Sequence, residues 1–549
     1  MGRSGVVALT MPMTTRANSK LVLGGLLALL AAGYFINLGS APLTEQSEAR
    51  YAEVAWEMFT THDYLTPRYN FIKHFHKPPL YYWSIATCFG FFGVHELSAR
   101  LPSTLAALLC LALTWWFVRR EMEADNQQAC LAAGLLASTP FFWEMARVSI
   151  TDMFVTLLVL LSFTSFLRLL RRPRSTPALF LFWLSLGLNF LTKGPVGPAI
   201  VLVAVLAYCR LRGVAVRTLR ILPGTLLALT VGLPWYIWAV RSNPGLLSYF
   251  LKFQTLDRVV STVHARGGPW WYYLPVIVGG FLPWTPWLLI RLRALVREPN
   301  WSSVDVLLGL WIIPPLLFFS VIGSKLPPYV LPLFPALAIF TSGGIRGLPK
   351  NQLRWPGAIF LLSGLLLFVQ IALNAVPKLV RYNPELLWAG ILLTISGIVL
   401  TVRPINWRVA SSLAIATMFG LEISAAMAFP RIAYRTAQPI AEVVLNKAEP
   451  NFEIAMYGRY LFGLPYYLQR PVVHIRHERE VMFESNDDYK KLMRPTLESY
   501  LAEFRSGDRD RFLVVSQPDW PELKRYFQEP VVYSNERYLV LRHKRTKPS

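Results

Sequence analysis

The residues of this 549-residue chain best suited to chemistry gather in one short stretch, positions 42–83. It opens Pro42-Leu43-Thr44-Glu45-Gln46-Ser47-Glu48-Ala49-Arg50-Tyr51 and closes His76-Lys77-Pro78-Pro79-Leu80-Tyr81-Tyr82-Trp83. Carboxylates offer proton acceptors, and lysine, arginine and histidine offer donors to an anion. Beside a bilayer such groups are costly unless they face a wet cavity, so they mark a functional site by default.

The rest of the chain makes that stretch a membrane edge. Hydrophobic residues make up 54% of the sequence and charged residues only 16%, and a mean hydropathy of +0.39 over this length implies many spans. Apolar segments fall at 20–38, 99–118, 127–145, 152–170, 177–192, 195–209, 219–240, 271–290, 304–322, 329–345, 357–376, 386–402 and 408–430, about thirteen spans at this length. Segment 20–38 reads as an uncleaved first span rather than a signal peptide. Residues 80–94 are apolar but short, and charge decides their fate. If they do not cross, the arginine-rich loops at 119–120, 168–174, 210–220, 291–297, 346–354 and 403–408 share the inner side, as the positive-inside rule requires. The stretch is therefore expected to lie along, or dip into, the outer interface. The loops left outside are 39–98, 146–151, the Lys193-Gly194-Pro195 turn, 241–270, 324–328, 377–385 and everything after 430.

Residues 47–60 carry an apolar face (Tyr51, Val54, Ala55, Met58, Phe59) at helical spacing. Glu48, Arg50, Glu53 and Glu57 keep the other face polar, which predicts a helix lying in the interface. The charged tail mixes β-rich with helical runs and reads as a small α/β domain. The expected architecture is a polytopic α-helical membrane protein. A transmembrane domain spans 1–430, with outer-face juxtamembrane helices in 42–98, and a soluble α/β domain spans 431–549. The net charge of +23 sits largely in short loops, where it sets topology rather than binding nucleic acid. The four cysteines, in or beside apolar segments, fit neither a metal motif nor a disulfide framework.

Several outer-face stretches combine in order: Glu48-Ala49-Arg50-Tyr51-Ala52-Glu53; Lys77-Pro78-Pro79-Leu80-Tyr81-Tyr82-Trp83; Arg147 with Thr151-Asp152; Leu191-Thr192-Lys193-Gly194-Pro195; Leu233-Pro234-Trp235-Tyr236; Arg258 leading to Pro269-Trp270-Trp271-Tyr272-Tyr273; and Ser324-Lys325-Leu326-Pro327-Pro328-Tyr329. Together they resemble the lipid A aminoarabinose transferases and, more broadly, the protein-mannosyltransferase-like membrane glycosyltransferases. The resemblance implies a GT-C fold and a sugar donor carried on undecaprenyl (polyprenyl) phosphate. It implies a catalytic carboxylate in the first outer loop and a lysine before the proline pair, Lys77, that holds the lipid phosphate. Three departures stand out. Ser47 occupies the first place of the family's acidic pair. His76 stands where glutamate is common, and Thr255 where the aminoarabinose enzymes carry histidine. That glutamate and histidine are linked to a metal in the family, so no cofactor is firmly implied. A divalent metal would fall to His76 and His264, which are weak candidates.

A lipid-phosphate sugar is already activated, so the protein needs a base for the acceptor and cations for the departing phosphate. Glu48 and Asp152 are the candidate catalytic carboxylates, with the choice of base open. Their bland readings are helix-start charges, or a salt bridge between Asp152 and Arg147. Arg50, Tyr51, Lys77, Tyr82, Arg147, Lys193, Arg258, Arg266, Lys325 and Tyr329 are the candidate substrate-binding residues. Against these stand snorkelling lysines and interfacial aromatic belts. The expected acceptor is lipid A or another envelope glycolipid or protein. The expected setting is a multi-pass monomer in a bacterial inner membrane, with site and tail periplasmic. A lipid-linked-sugar flippase is the rival, but it predicts pseudo-repeats that the sequence lacks. A structural or sensor protein working through its tail is a further rival, and it leaves the clustering of outer-loop residues unexplained.

Overall fold

A computed structural model describes residues 32–45, 47–256, 267–403, 405–432, 435–458, 460–476, 491–506 and 508–545. After the first segment comes helix α1 (Glu48–Thr61), then a two-stranded hairpin, β1 (Arg68–Tyr69) and β2 (Ile72–Lys73). Helix α2 (Leu80–Phe92) has 13 residues, too few to cross a bilayer at 1.5 Å per residue. The membrane helices that frame the site follow: α3 (Glu96–Trp116), α4 (Asn126–Ala137), α5 (Pro140–Ala146), α6 (Asp152–Arg171), α7 (Thr176–Lys193), α8 (Val196–Arg212), α9 (Ile221–Gly232), α10 (Pro234–Ser242), α11 (Tyr273–Gly280), α12 (Thr285–Arg297) and α13 (Ser303–Val321). A 3-10 turn at Pro327–Leu333 leads into α14 (Phe334–Ile345), and α15 (Trp355–Leu373), α16 (Asn383–Val402) and α17 (Trp407–Ile432) complete the helical part.

Among the described residues, 7 helices are long and apolar enough to cross a membrane, or up to 10 if each bent pair is one span. Three expected spans are bent pairs: α4–α5 by 69°, α9–α10 by 47° and α11–α12 by 111°. The first two breaks precede Pro140 and Pro234, which cannot donate to the preceding turn. Expected spans 177–192 and 195–209 form α7 and α8, and segment 20–38 is described only from residue 32.

Helix α1 departs from expectation. Its carboxylates do not form an exposed polar face: Glu48, Glu53 and Glu57 are all buried. They are tolerated there because each accepts hydrogen bonds from neighbouring elements. Glu53 accepts the N–H of Asn70 (2.9 Å) and Glu57 that of Phe71 (2.7 Å). Asn70 and Phe71 form the hairpin turn, with φ of 52° and 62°. The left-handed turn aims both N–H groups at α1.

The tail carries helix α18 (Gln438–Lys447), strand β3 (Glu453–Tyr457), helix α19 (Gly463–Leu468), strands β4 (Val473–Ile475) and β5 (Met493–Arg494), helix α20 (Glu498–Phe504), and strands β6 (Arg511–Ser516), β7 (Val531–Ser534) and β8 (Tyr538–His543). The sheet order is β5-β4-β3-β6-β8-β7, parallel from β5 to β6 and antiparallel beyond. Separate apolar clusters, around Ile440 and Val444 and around Tyr500 and Phe504, cover the sheet. The sheet domain docks on the loop before α1. Glu45 accepts the N–H groups of Phe462 (2.6 Å) and Gly463 (3.0 Å). Tyr467 accepts from the Leu43 N–H and donates to Glu96.

Candidate functional site

A cavity of about 860 Å³ opens where α6, α7, α8, α10 and α13 meet the loop after the hairpin. Most of its wall is apolar, with Val155, Ile200, Val203, Leu247, Leu251 and Phe318 among the lining residues. The polar side chains on the wall include His76, Lys77, Asp152, Lys193, Ser324 and Tyr329. Asp152 opens α6 and Lys193 closes α7, so two antiparallel neighbours bring them together. The Lys193 ammonium donates to Asp152 at 2.5 Å and sits 4.9 Å from the centre of the Tyr329 ring. Asp152 is the one carboxylate among the described lining residues. A largely apolar cavity with cations and a carboxylate on its wall suits an amphiphile with a chain and an anionic head.

Glu48 lies off that wall, at the root of the outer loop. It takes Arg100 side-on, Nε to Oε1 at 2.8 Å and Nη2 to Oε2 at 3.0 Å. It also accepts the Thr44 N–H and hydroxyl and the Ser149 N–H. Burial pushes its pKa up, but Arg100 and the N–H donors outweigh that and hold it below the ordinary glutamate value. Arg100 also donates to the carbonyls of Leu38, Ala41 and Pro42. Together the pair ties the start of the outer loop to α3 and, through Ser149, to the turn that leads into Asp152.

A family model described as dolichyl-phosphate-mannose-protein mannosyltransferase matches residues 76–238. A second, the aminoarabinose transferase C-terminal domain, matches 440–543. A crystal structure from Cupriavidus metallidurans, titled as ArnT bound to undecaprenyl phosphate, superposes with a TM-score of 0.83 at 23% identity, covering 96% of this chain and 98% of that one. The chain shares the fold of that structure, and its two parts are similar to these two transferase models. Among curated relatives, an undecaprenyl phosphate-alpha-4-amino-4-deoxy-L-arabinose arabinosyl transferase of Aeromonas hydrophila is 30% identical over 58% of this chain and 59% of its own length. A second transferase of that name, from Sodalis glossinidius, is 26% identical over 81% of this chain and 84% of its own. The alignment thus spans under two thirds of the Aeromonas relative.

The aminoarabinose transferase-like fold brings together only some of the residues expected from sequence. His76, Lys77, Asp152, Lys193 and Tyr329 share the cavity wall. Arg147 does not join them: its guanidinium donates to the carbonyls of Tyr34 and Ile36 and lies over Trp143, closing off the end of the first segment. Four bare carbonyls at a helix end attract such a cation. Nor does Arg147 pair with Asp152, whose partner is Lys193. Arg50 lies over the Phe462 ring (5.2 Å) and serves the contact with the sheet domain. Tyr51 and Tyr82 are buried and pack together with Tyr81. The Lys325 ammonium donates to the Ile322 carbonyl at 2.6 Å, and it is Ile322, Ser324 and Tyr329 around it that line the cavity. Arg258, Arg266 and His264 lie outside the described residues.

Among the described residues, no three His, Cys, Asp or Glu side chains come together as a metal site. His76 instead stacks on His74, ring centres 4.8 Å apart. His76 and Thr255 stand at the two positions that the resemblance links to a metal, and neither supplies the ligand type expected there. Sequence reading missed Arg100 altogether. Its signal was there: an arginine at the outer end of a span defies the positive-inside pattern and needs a partner.

Proposed function

We propose that this aminoarabinose transferase-like protein is a GT-C glycosyltransferase that moves a sugar from undecaprenyl phosphate to lipid A or another envelope acceptor. The reading places the reaction at the periplasmic face of a bacterial inner membrane. The observation that carries it is the cavity: a largely apolar wall that suits a prenyl chain and also carries Lys77, Asp152 and Lys193.

In this reading the acceptor oxygen attacks the anomeric carbon of the donor. The bond from that carbon to the phosphate oxygen breaks, and the electron pair leaves with the carrier phosphate. Lys77 lies on the cavity wall and holds the phosphate as its charge grows, an electrostatic contribution that is large in a dry site. Asp152 receives the acceptor proton, a role worth roughly 10²–10⁴-fold in rate. Lys193 fixes the Asp152 carboxylate, and Tyr329 lies beneath its ammonium. Glu48 acts at one remove: its bond to the Ser149 N–H holds the turn before Asp152, which makes it a positioning residue.

Sugar transfer in membranes carrying Asp152→Asn, Lys77→Ala and Glu48→Gln tests these roles. Loss in the first two is expected, and full activity in both would overturn the assignment of this cavity. Purified protein that moves the lipid carrier across liposomes without glycosidic product would favour the flippase instead. The 76–238 match to a protein-mannosyltransferase model favours including a protein hydroxyl acceptor beside lipid A in the assay.

A further inference from the structure

The segment that delivers His76 and Lys77 to the cavity begins at the β1–β2 turn, and the turn is held from the far side by the sheet domain. Asn70 is fully buried. Its side-chain amide makes two hydrogen bonds to one residue of that domain: Nδ2 donates to the Val472 carbonyl and Oδ1 accepts the Val472 N–H, both at 2.8 Å. This copies the paired bonding of neighbouring strands with a side chain in place of a backbone.

The hold passes along the chain without a gap. Register pairs Tyr69 with Ile72 and Arg68 with Lys73, and the His74 N–H extends the ladder to the Pro67 carbonyl at 2.8 Å. The Lys73 ammonium donates to Asn243 at 2.8 Å. Phe75 is buried against Trp235, ring centres 6.2 Å apart. His76 and Lys77 come next, on the cavity wall.

We propose that Asn70 is a positioning residue for the cavity: by clamping the hairpin turn to Val472, the sheet domain holds Lys77 where it meets the carrier phosphate. The inference rests on the reading of Lys77 as a phosphate ligand. It gives the sheet domain a part in substrate binding although none of its residues lines the described cavity wall.

The test uses full-length protein in nanodiscs titrated with undecaprenyl phosphate. Asn70→Gly is the informative variant, because glycine keeps the left-handed φ of 52° and removes only the amide. It is expected to weaken binding about tenfold, the equivalent of two modest hydrogen bonds. Lys77→Ala is expected to weaken binding at least as much, and the double variant no more than Lys77→Ala alone, since one residue acts through the other. Wild-type affinity in Asn70→Gly, or additive losses in the double variant, overturns the inference and leaves Lys77 in place. Wild-type affinity in Lys77→Ala overturns the reading of Lys77 and the inference with it. If Asn70→Gly does not accumulate folded, Asn70→Asp keeps the acceptor for the Val472 N–H and loses the donor. A several-fold loss there supports the clamp, and unchanged binding overturns it.

Discussion

Two carboxylate–cation pairs, Glu48–Arg100 and Asp152–Lys193, are built to opposite ends. Glu48 and Arg100 are saturated: every donor around them is matched, and neither touches the cavity. Asp152 and Lys193 share one short contact on the cavity wall. A saturated pair is rigid and chemically closed, since a buried carboxylate with five donors has no lone pair left for a proton from elsewhere. A sparse pair on a cavity wall can still exchange partners with a ligand. Position along the chain does not separate the two; the surroundings do.

The largest effect expected from this contrast is on rate. Asp152→Asn should lower sugar transfer roughly 10²–10⁴-fold, the usual worth of a positioned base, while the thermal midpoint of purified protein falls less than in Arg100→Ala. Assaying transfer and melting on one preparation checks both halves. A variant that melts early and transfers normally would exchange the roles assigned to the two pairs. Next comes Arg100→Ala, which leaves Glu48 buried without its cation. Breaking a buried pair from one side costs about 3–5 kcal/mol, so poor accumulation of folded protein is expected, visible as a lost monodisperse peak in detergent. Glu48→Gln should be milder, about 1–3 kcal/mol, because the amide oxygen still accepts the Ser149 N–H. Its transfer rate should fall less than that of Asp152→Asn; the reverse ranking would return the base to the outer loop.

Much of this was legible in the sequence, unevenly so. Charge topology alone leads to the expectation that 80–94 does not cross, and α2, at 13 residues, is short for a span. The helix near 47–60 was visible from its apolar period, yet its polar face was misjudged. Periodicity shows which residues prefer water, but it cannot show that a hairpin 17 residues on will present two N–H groups to Glu53 and Glu57. The same limit applies to Arg147. Its position beside Asp152 in sequence suggested a shared site, whereas the fold turns its side chain toward the carbonyls of Tyr34 and Ile36. Lys193 and Asp152 lie 41 residues apart, and their meeting follows only from the antiparallel packing of α6 and α7. The family motifs located both residues without saying that they touch.

The buried carboxylates of α1 offer a third and smaller test of what surroundings do. Burial pushes the Glu57 carboxyl up from 4.5 to about 6, against the N–H of Phe71, and burial beside Glu57 pushes Glu53 up as well. The folded state therefore holds a proton on Glu57 that the unfolded chain releases near pH 4.5. Stability from this group is full below that pH and falls as pH rises through the window to about 6, by about 2 kcal/mol in all. Glu57→Gln keeps an oxygen for the Phe71 N–H and removes the titration. Its melting temperature should then vary less than the parent's between pH 4.5 and 6.5, with the gain largest at the upper end. An unchanged slope would mean that Glu57 is ionised throughout and that this carboxylate resembles Glu48, held charged by its donors, more closely than its surroundings indicate.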